Sequence, residues 1–524
     1  MSAVRKPFAI VQGTFDSQGT IDQTVTDEIV IALCGPMGTP LHSVAKVFKG
    51  LLEGNDYNYD QVTVIRLSDL IKKHAGLGPT ATTEQLIDAG NELRRTHSSA
   101  VLAQLAVNEI TIARAIRTPA VEKPRQLAFP GAEEAVIPAP PVRHCHIIDS
   151  IKTAGELRML RSVYGDMLHI VGVYSPIELR IEQLKKKNED EQVHRLINRD
   201  SGEEVAHGQS VRDTFPQADF FLRADTNTDA ELQQRVKRFL DLMLGARIIT
   251  PTIAERAMYA AFSAARNSAC LSRQVGAAIT NEFGDVLATG WNDVPKAFGG
   301  LYQSDDETAK AVDDHRCWNK DGGKCYNDEE KDLIAKTIIS RLVEKGAITE
   351  DKRVDAEEVV RKDTQLRGLI EFSRAVHAEM HALLNAGSVH GSQIRGGKLF
   401  VTTYPCHSCA RHLVAAGVKE VYFVEPYRKS LATKLHPDAI TEAESDEKKV
   451  RIIPFDGIAP SRFLKFFSAP SGGRKDSTNG TMRKPSGRPV TGITLEAIQT
   501  LEGLATKGIE SLLSNTTTPT QEPA

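Results

Sequence analysis

Two short segments, His377-Ala378-Glu379 and Pro405-Cys406-His407-Ser408-Cys409, restrict the folds open to this chain more than any other feature. One imidazole and two thiolates supply three ligands of a tetrahedral zinc and leave its fourth position open, which is the catalytic rather than the structural arrangement. A fold that uses them must bring His377 against two sulfurs carried by a distant turn. The C-x-x-C spacing lets Cys406 and Cys409 converge on one metal at the start of a helix, where the positive dipole end and unsatisfied N–H groups favour thiolate. His377 is expected on another helix, Glu371 to Leu384. Glu379 lies too close to His377 to share its helical direction, so it suits proton transfer better than ligation.

Taken singly, a C-x-x-C is a redox pair or half a zinc finger, and H-A-E is a solvated helix face. Their context favours one joint site. An apolar strand-like run, Lys398 to Thr403, leads into Pro405, and a helical run, Ala410 to Gly417, follows. The complete H-x-E…P-C-x-x-C pattern resembles that of zinc nucleobase deaminases, which implies hydrolytic loss of ammonia from a cytosine-type or adenine-type ring. His381 and His407 fall outside the motif positions and are read as supporting or surface groups. Cys34, Cys145 and Cys270 are read as packed thiols. His315, Cys317 and Cys325 offer an imidazole and two thiols. A second, structural zinc site there stays open, with no fourth ligand visible.

At 524 residues the chain is long enough for two or three domains, and 41% hydrophobic content is that of a globular protein. A net charge of -3 gives no bulk attraction to a phosphate backbone. Seven cysteines, an odd number spread thinly, and the lack of an apolar leader or bilayer-length run lead us to expect a reducing, cytoplasmic setting and no membrane.

The amino-terminal half alternates strand-like runs (Asp27 to Cys34, Val62 to Arg66, His144 to Asp149, Leu168 to Tyr174) with helical ones such as Leu41 to Glu53, as in a covered parallel sheet. A Gly-containing turn between the first strand and helix makes a phosphate-binding topology plausible, with Gly35 and Gly38 on the turn and Asp149 ending a strand as in a Walker B segment. A Walker A loop needs G-x-x-x-x-G-K-[ST]. Here Pro40 and Leu41 stand where Gly and Lys belong, and Lys46 and Lys49 lie too far into the helix to substitute. From about residue 250 the pattern changes: a helix (Pro251 to Arg266), a hairpin (Gln274 to Thr280 and Val286 to Asn292), and a charge-rich insertion, about 293–364, with one helix from Asp332 to Lys345. A strand, Glu420 to Val424, follows the cysteines. Beyond Ser468 a flexible linker is expected, closed by a short helix, Leu495 to Leu513.

Ser272 to Ala277, Gly290-Trp291-Asn292, the H-A-E triplet and Thr403 to Ala410 with Ala416-Gly417-Val418 resemble deoxycytidylate deaminases in type and order, over roughly residues 250–460. That resemblance implies that Asn292 contacts the sugar, that Tyr404 lines the base pocket, that Tyr427 stacks on the base and that Lys429 meets phosphate. Arg273 and Lys296 are weaker phosphate candidates. Asp149-Ser150-Ile151 and Ala89 to Arg94 resemble deoxynucleoside-monophosphate kinase-like domains. The join of the two resembles the bacterial anti-phage deoxycytidine nucleotide deaminases, in which dCTP and dCMP are depleted and the kinase-like half is thought to regulate.

The expected fold class is therefore α/β: an amino-terminal P-loop kinase-like parallel sheet (1–245, degenerate Walker A), a cytidine-deaminase-like α/β/α domain (246–468), and a tail (469–524). One catalytic Zn2+ per chain, deoxycytidine nucleotides as substrates, a nucleotide effector, an inhibitory RNA or protein, and a homo-oligomer complete the expectation. Two rival readings stand beside this one. A polynucleotide cytosine or adenine deaminase needs a cationic strand channel, and only Arg474 to Arg488 is locally basic. A nucleotide-sensing regulator with a vestigial site is disfavoured by the intact Glu379.

Overall fold

A computed structural model describes residues 25–117, 143–186, 211–224, 229–304, 314–320, 322–426, 430–470, 473–485, 487–491 and 495–507, with a few single positions between them. The chain forms two compact units, one of Met1–Gln217, Ala224–Ile248 and Lys475–Ala524, the other of Ala218–Arg223 and Ile249–Arg474.

In the first unit, β1 (Ile29–Cys34), β2 (Gln61–Arg66), β3 (His144–Ile151) and β4 (Leu168–Tyr174) pair in parallel, in the order β4-β1-β3-β2. Every residue of β1 is buried, as expected of an uninterrupted Ile-Val-Ile-Ala-Leu-Cys run in a sheet covered on both faces. The helices of this unit include α1 (Leu41–Glu53), α2 (Leu67–Ala75), α3 (Thr83–Thr96), α4 (Val101–Arg117), α5 (Ala154–Tyr164), α6 (Ile177–Lys185) and α7 (Asp229–Met243). Helix α1 buries Leu41, Val44, Ala45, Phe48 and Leu52, and its Phe48 meets Phe239 of α7 edge-on at 6.2 Å. Capping boxes at Thr82/Gln85 and Thr153/Glu156 start α3 and α5. The second box also serves the core, because Glu156 Oε1 accepts Arg94 Nη2 at 2.8 Å with both side chains buried.

In the second unit a short β5 (Phe220–Arg223) pairs antiparallel with β12 (Gly457–Ile458). The main sheet has the order β10-β11-β9-β8-β6-β7. Here β6 (Gly276–Thr280) and β7 (Val286–Trp291) form the expected hairpin, and β8 (Lys398–Thr403) runs antiparallel to β6. From β8 outward, β9 (Glu420–Glu425), β11 (Val450–Pro454) and β10 (Ile440–Thr441) are all parallel. The longer helices of the unit are α8 (Ile253–Ala265), α9 (Tyr326–Glu344), α10 (Arg353–Asp363), α11 (Ala378–Ile394) and α12 (His407–Ala416). Helix α8 packs on β6 and α11 on β7. The second contact depends on Gly290, where a Cβ would lie 2.3 Å from Ala382 N and 2.6 Å from Ala378 O.

Three boundaries differ from expectation. The insertion holds two helices, not one, and α9 starts six residues early, at Tyr326, where Asp328 and Glu329 supply the acidic first turn that suits a helix N-terminus. Helix α11 starts at Ala378 rather than Glu371, because Val376 is held in a bridge to Asp293, its N–H donating to the Asp293 carbonyl at 2.9 Å. Helix α12 starts at His407, three residues before the expected run, because Cys406 itself caps it. After residue 474 the chain belongs to the first unit, where α13 (Leu495–Lys507) packs on α4 and α5. No helix among the described residues is long and apolar enough to cross a membrane.

Candidate active site

Both metal-binding segments sit where a helix begins. Cys406 is the N-cap of α12, with φ −68° and ψ 161°, and its Sγ accepts the Cys409 N–H at 3.4 Å. His377 is the N-cap of α11, in extended conformation, so it is not carried within the helix as the sequence suggests. The two helix starts converge: His377 Nδ1 lies 3.3 Å from Cys406 Sγ and 3.4 Å from Cys409 Sγ. A tetrahedral zinc with ordinary Zn–N and Zn–S bonds sets an N···S edge of about 3.5 Å, so the three donors fit that ion closely. They form the single His/Cys/Asp/Glu group of this kind among the described residues, all ligand atoms lying within 4.8 Å of one another.

Charge at the site follows from this packing. The hydrogen bond from Cys409, aided by the His377 imidazole, pushes the Cys406 thiol down to about 4 against the effect of burial. Cys409 is pushed up, first as the donor in that bond and then by burial. Glu379, in the first turn of α11, is 4% exposed. Burial pushes its carboxyl up to about 7, with the His377 imidazole pulling the other way. A dication in the site would also pull it down.

These groups open on a cavity of about 310 Å³ lined by residues of the second unit, His377, Glu379 and Cys406 among them. Asn292, Tyr404 and Arg273 line it as well. Asn292 is anchored: its Oδ1 accepts the Val275 N–H at 2.7 Å and its Nδ2 donates to the Arg273 carbonyl at 2.9 Å. One N–H and one lone pair of that amide remain for a ligand. The Tyr404 hydroxyl donates to Glu442 Oε1 at 2.7 Å and its ring meets Phe423 edge-on at 4.9 Å. Arg273 is bound to Glu425 at 2.5 Å, so its charge is already matched. Lys296 is exposed and does not line the cavity. Tyr427 and Lys429 lie outside the described residues.

His381 supports the site from behind, its Nδ1 accepting the Trp291 N–H at 3.2 Å and its ring meeting Trp291 edge-on. His315, Cys317 and Cys325 do not form a second metal group among the described residues. Instead Cys317 and Cys325 line the same cavity, and so does Cys270, which is half-buried at its wall and not packed in the core. Sequence reading also missed Tyr326, Lys331 and Arg374 as lining residues. Nothing in their local pattern announces it, since Tyr326 and Lys331 reach the cavity only as the insertion folds back and Arg374 only through the segment that precedes His377.

In the first unit, Gly35 and Gly38 form the turn after β1, and Asp149 lies near the end of β3. Gly38 has φ +85°, and a Cβ there would meet the Arg180 backbone oxygen at 2.6 Å, so α6 lies directly on the turn. Lys49 is spent elsewhere, on Glu53 and the Val62 carbonyl, both at 2.7 Å. The ammonium at the turn is that of Lys152, donating to the Gly35 carbonyl at 2.7 Å. Asp149 faces His42 at 3.8 Å, and burial raises its carboxyl against the pull of His42 and Arg66.

Residues 251–425 match the family model described as the cytidine and deoxycytidylate deaminase zinc-binding region. ComE operon protein 2 of Bacillus subtilis is 40% identical over 67 residues, 13% of this chain and 32% of that protein. The deoxycytidylate deaminase of Enterobacteria phage T4 is 26% identical over 170 residues, 32% of this chain and 76% of the phage protein. A crystal structure of the dCMP deaminase of cyanophage S-TIM5 in complex with dCMP and dUMP aligns at 21% identity, over 40% of this chain and 99% of that one, with a TM-score of 0.23. The chain thus spans about a third of the Bacillus protein. The matched region contains the His/Cys/Cys group, and zinc is its metal.

Proposed function

We propose that this chain is a hydrolytic deaminase of free deoxycytidine nucleotides, converting dCMP, dCTP or both to the deoxyuridine nucleotide and ammonia. The observation that carries this reading is the convergence of His377, Cys406 and Cys409 beside the buried Glu379, inside a region that matches the deaminase zinc-binding family.

Zinc held by these three groups makes a water acidic enough to supply hydroxide near neutral pH. The chain's own groups do the rest. Glu379 accepts a proton from the attacking water and delivers it to ring N3 of the cytosine, while the water oxygen bonds to C4. The second water proton passes through Glu379 to the C4 amino group, which leaves as ammonia. The ring keeps the new C4 carbonyl and the proton on N3. Asn292 and Tyr404, fixed by the bonds described above, border the space in which the nucleotide is held.

The amino-terminal unit supports a kinase-like reading, because a Gly turn after β1 leads into α1 within a parallel sheet. It lacks a Walker lysine, and the backbone of α6 lies on the turn. We therefore read it as a unit without phosphoryl transfer that regulates the deaminase, whose use is nucleotide depletion during phage infection. The test is ammonia release from dCMP, dCTP, CMP and CTP by the zinc-loaded protein, with dTTP and dUTP added as effectors. Deamination of a deoxycytidine nucleotide is expected. Deamination of cytosine in single-stranded oligonucleotides alone, or none at all, rejects the reading.

A further inference from the structure

The cavity beside the metal group has an unbalanced distribution of charge. Apart from Glu379, the proton carrier beside the metal group, its carboxylates are already engaged. Asp293 accepts the Ala269 and Val294 N–H groups at 2.9 and 2.8 Å and faces the buried Arg316 at 3.7 Å. Asp328, on the first turn of α9, is bound to Arg361 at 2.7 Å. Arg273 is matched by Glu425. Two cations of the lining remain. Lys331, one turn along α9 from Asn327, is 5% exposed; its Nζ donates to the Arg367 carbonyl at 3.2 Å and has no carboxylate nearer than Asp328 at 4.0 Å among the described residues. Arg374 donates to the His315 carbonyl at 3.1 Å and lies over the Tyr326 ring at 5.2 Å, with no carboxylate partner among the described residues.

An ammonium taken out of water and given a carbonyl and a carboxylate 4.0 Å away that Arg361 already holds is costly, and the cost is recovered when an anion enters. Burial lowers the Lys331 ammonium from its usual range, which is the electrostatic mark of that deficit. The anion has to come from the ligand, because Asp293 and Asp328 are taken by Arg316 and Arg361 and Glu379 belongs to the metal group. Cytosine itself is neutral, so the anionic part of a cytosine nucleotide is its phosphate. Tyr326 is held firmly enough to position Arg374: its ring also faces Lys320 Nζ at 4.9 Å, and its hydroxyl accepts from that group at 2.6 Å.

We propose that Lys331 and Arg374 receive the 5′-phosphate of the substrate, so that the insertion helix α9 selects nucleotides for the zinc site. The inference rests on the deaminase reading above. It also predicts that Arg273 plays a smaller part, since its guanidinium would have to leave Glu425 to bind phosphate.

The experiment is steady-state kinetics of the full-length zinc-loaded protein with dCMP and dCTP, for wild type, Lys331→Gln, Arg374→Gln and Lys331→Arg, with zinc content and melting temperature measured on each. Each glutamine variant should raise KM by roughly ten- to a hundred-fold with little change in kcat, the loss expected for one charge-assisted hydrogen bond. Inorganic pyrophosphate should inhibit the wild type competitively and these variants more weakly. Lys331→Arg should recover much of the affinity. A purely structural Lys331 would instead show as lower zinc content or kcat. Arg374→Gln, on a separate segment, keeps the question answerable if Lys331→Gln folds poorly. An unchanged KM, or a loss wholly in kcat, overturns the assignment while the deaminase reading stands. Absence of wild-type turnover of any cytosine nucleotide removes that reading and this one with it.

Discussion

Glu379 and His377 are two residues apart, yet their environments assign them opposite tasks. The imidazole is turned onto the two sulfurs by its N-cap backbone, whereas the carboxylate, one residue into the helix, is buried. Replacing Glu379 with Gln preserves volume and removes only the capacity to carry a proton. Glu379→Gln should therefore keep the zinc-to-chain ratio of the wild type while kcat falls by roughly a hundred- to ten-thousand-fold; elemental analysis beside an ammonia assay checks both. Cys409→Ser should do the reverse, losing the metal first. At this scale the sequence is highly legible for the ligands and the proton carrier, because the chemistry restricts both residue type and spacing. It is poor for the wall. Lys331 and Cys270 look like any solvated lysine and any packed thiol until the tertiary fold places them on one cavity.

The elements carry the site by close approach of backbone to backbone. Gly290 lets β7 lie against α11, and α11 begins at the metal-binding imidazole. A methyl group at position 290 must displace the helix backbone, so Gly290→Ala should lower stability by about 2 kcal/mol or more and weaken zinc retention. Thermal melts with and without added zinc measure both effects. Because His377 and Cys406 each cap a helix, the metal joins two helix N-termini. Removing it with a chelator should raise amide exchange in the first turns of α11 and α12 and leave the central strands β6 and β8 protected. Strands such as β1 and β8 were readable as apolar runs bounded by turn residues. Helix α10 was not, since Arg353 to Asp363 buries no residue and so carries no apolar stripe. The start of α11 was misplaced for a different reason: the bridge from Val376 to Asp293 is a contact between residues 83 positions apart, invisible to local periodicity.

At the scale of the whole chain, the first unit is closed by residues from its far end. Arg114 of α4 binds Glu28, just before β1, through Nε at 3.1 Å and Nη2 at 2.5 Å, and it also binds Glu502 of α13. His146 of β3 adds a contact to Glu28 Oε1 at 3.1 Å. Burial alone would raise the Glu28 carboxyl, but the hydrogen bonds from His146 and Arg114 outweigh it and hold it at about 2, against an ordinary value of 4.5. A carboxyl depressed in this way contributes stability that is present in full above about pH 4.5 and is lost as the pH falls through 2. A displacement of that size corresponds to up to about 3 kcal/mol, in the range lost when one partner of a buried pair is removed. Glu28→Gln should therefore weaken hydrogen-exchange protection of β1 and α4 by that order at pH 7. The gap to wild type should narrow steadily between pH 4.5 and pH 2, where the wild-type carboxyl itself takes up a proton. A gap that stays constant down to pH 2.5 would mean that packing around the Arg114 stem, and not the charge on Glu28, holds the closing helix against α4.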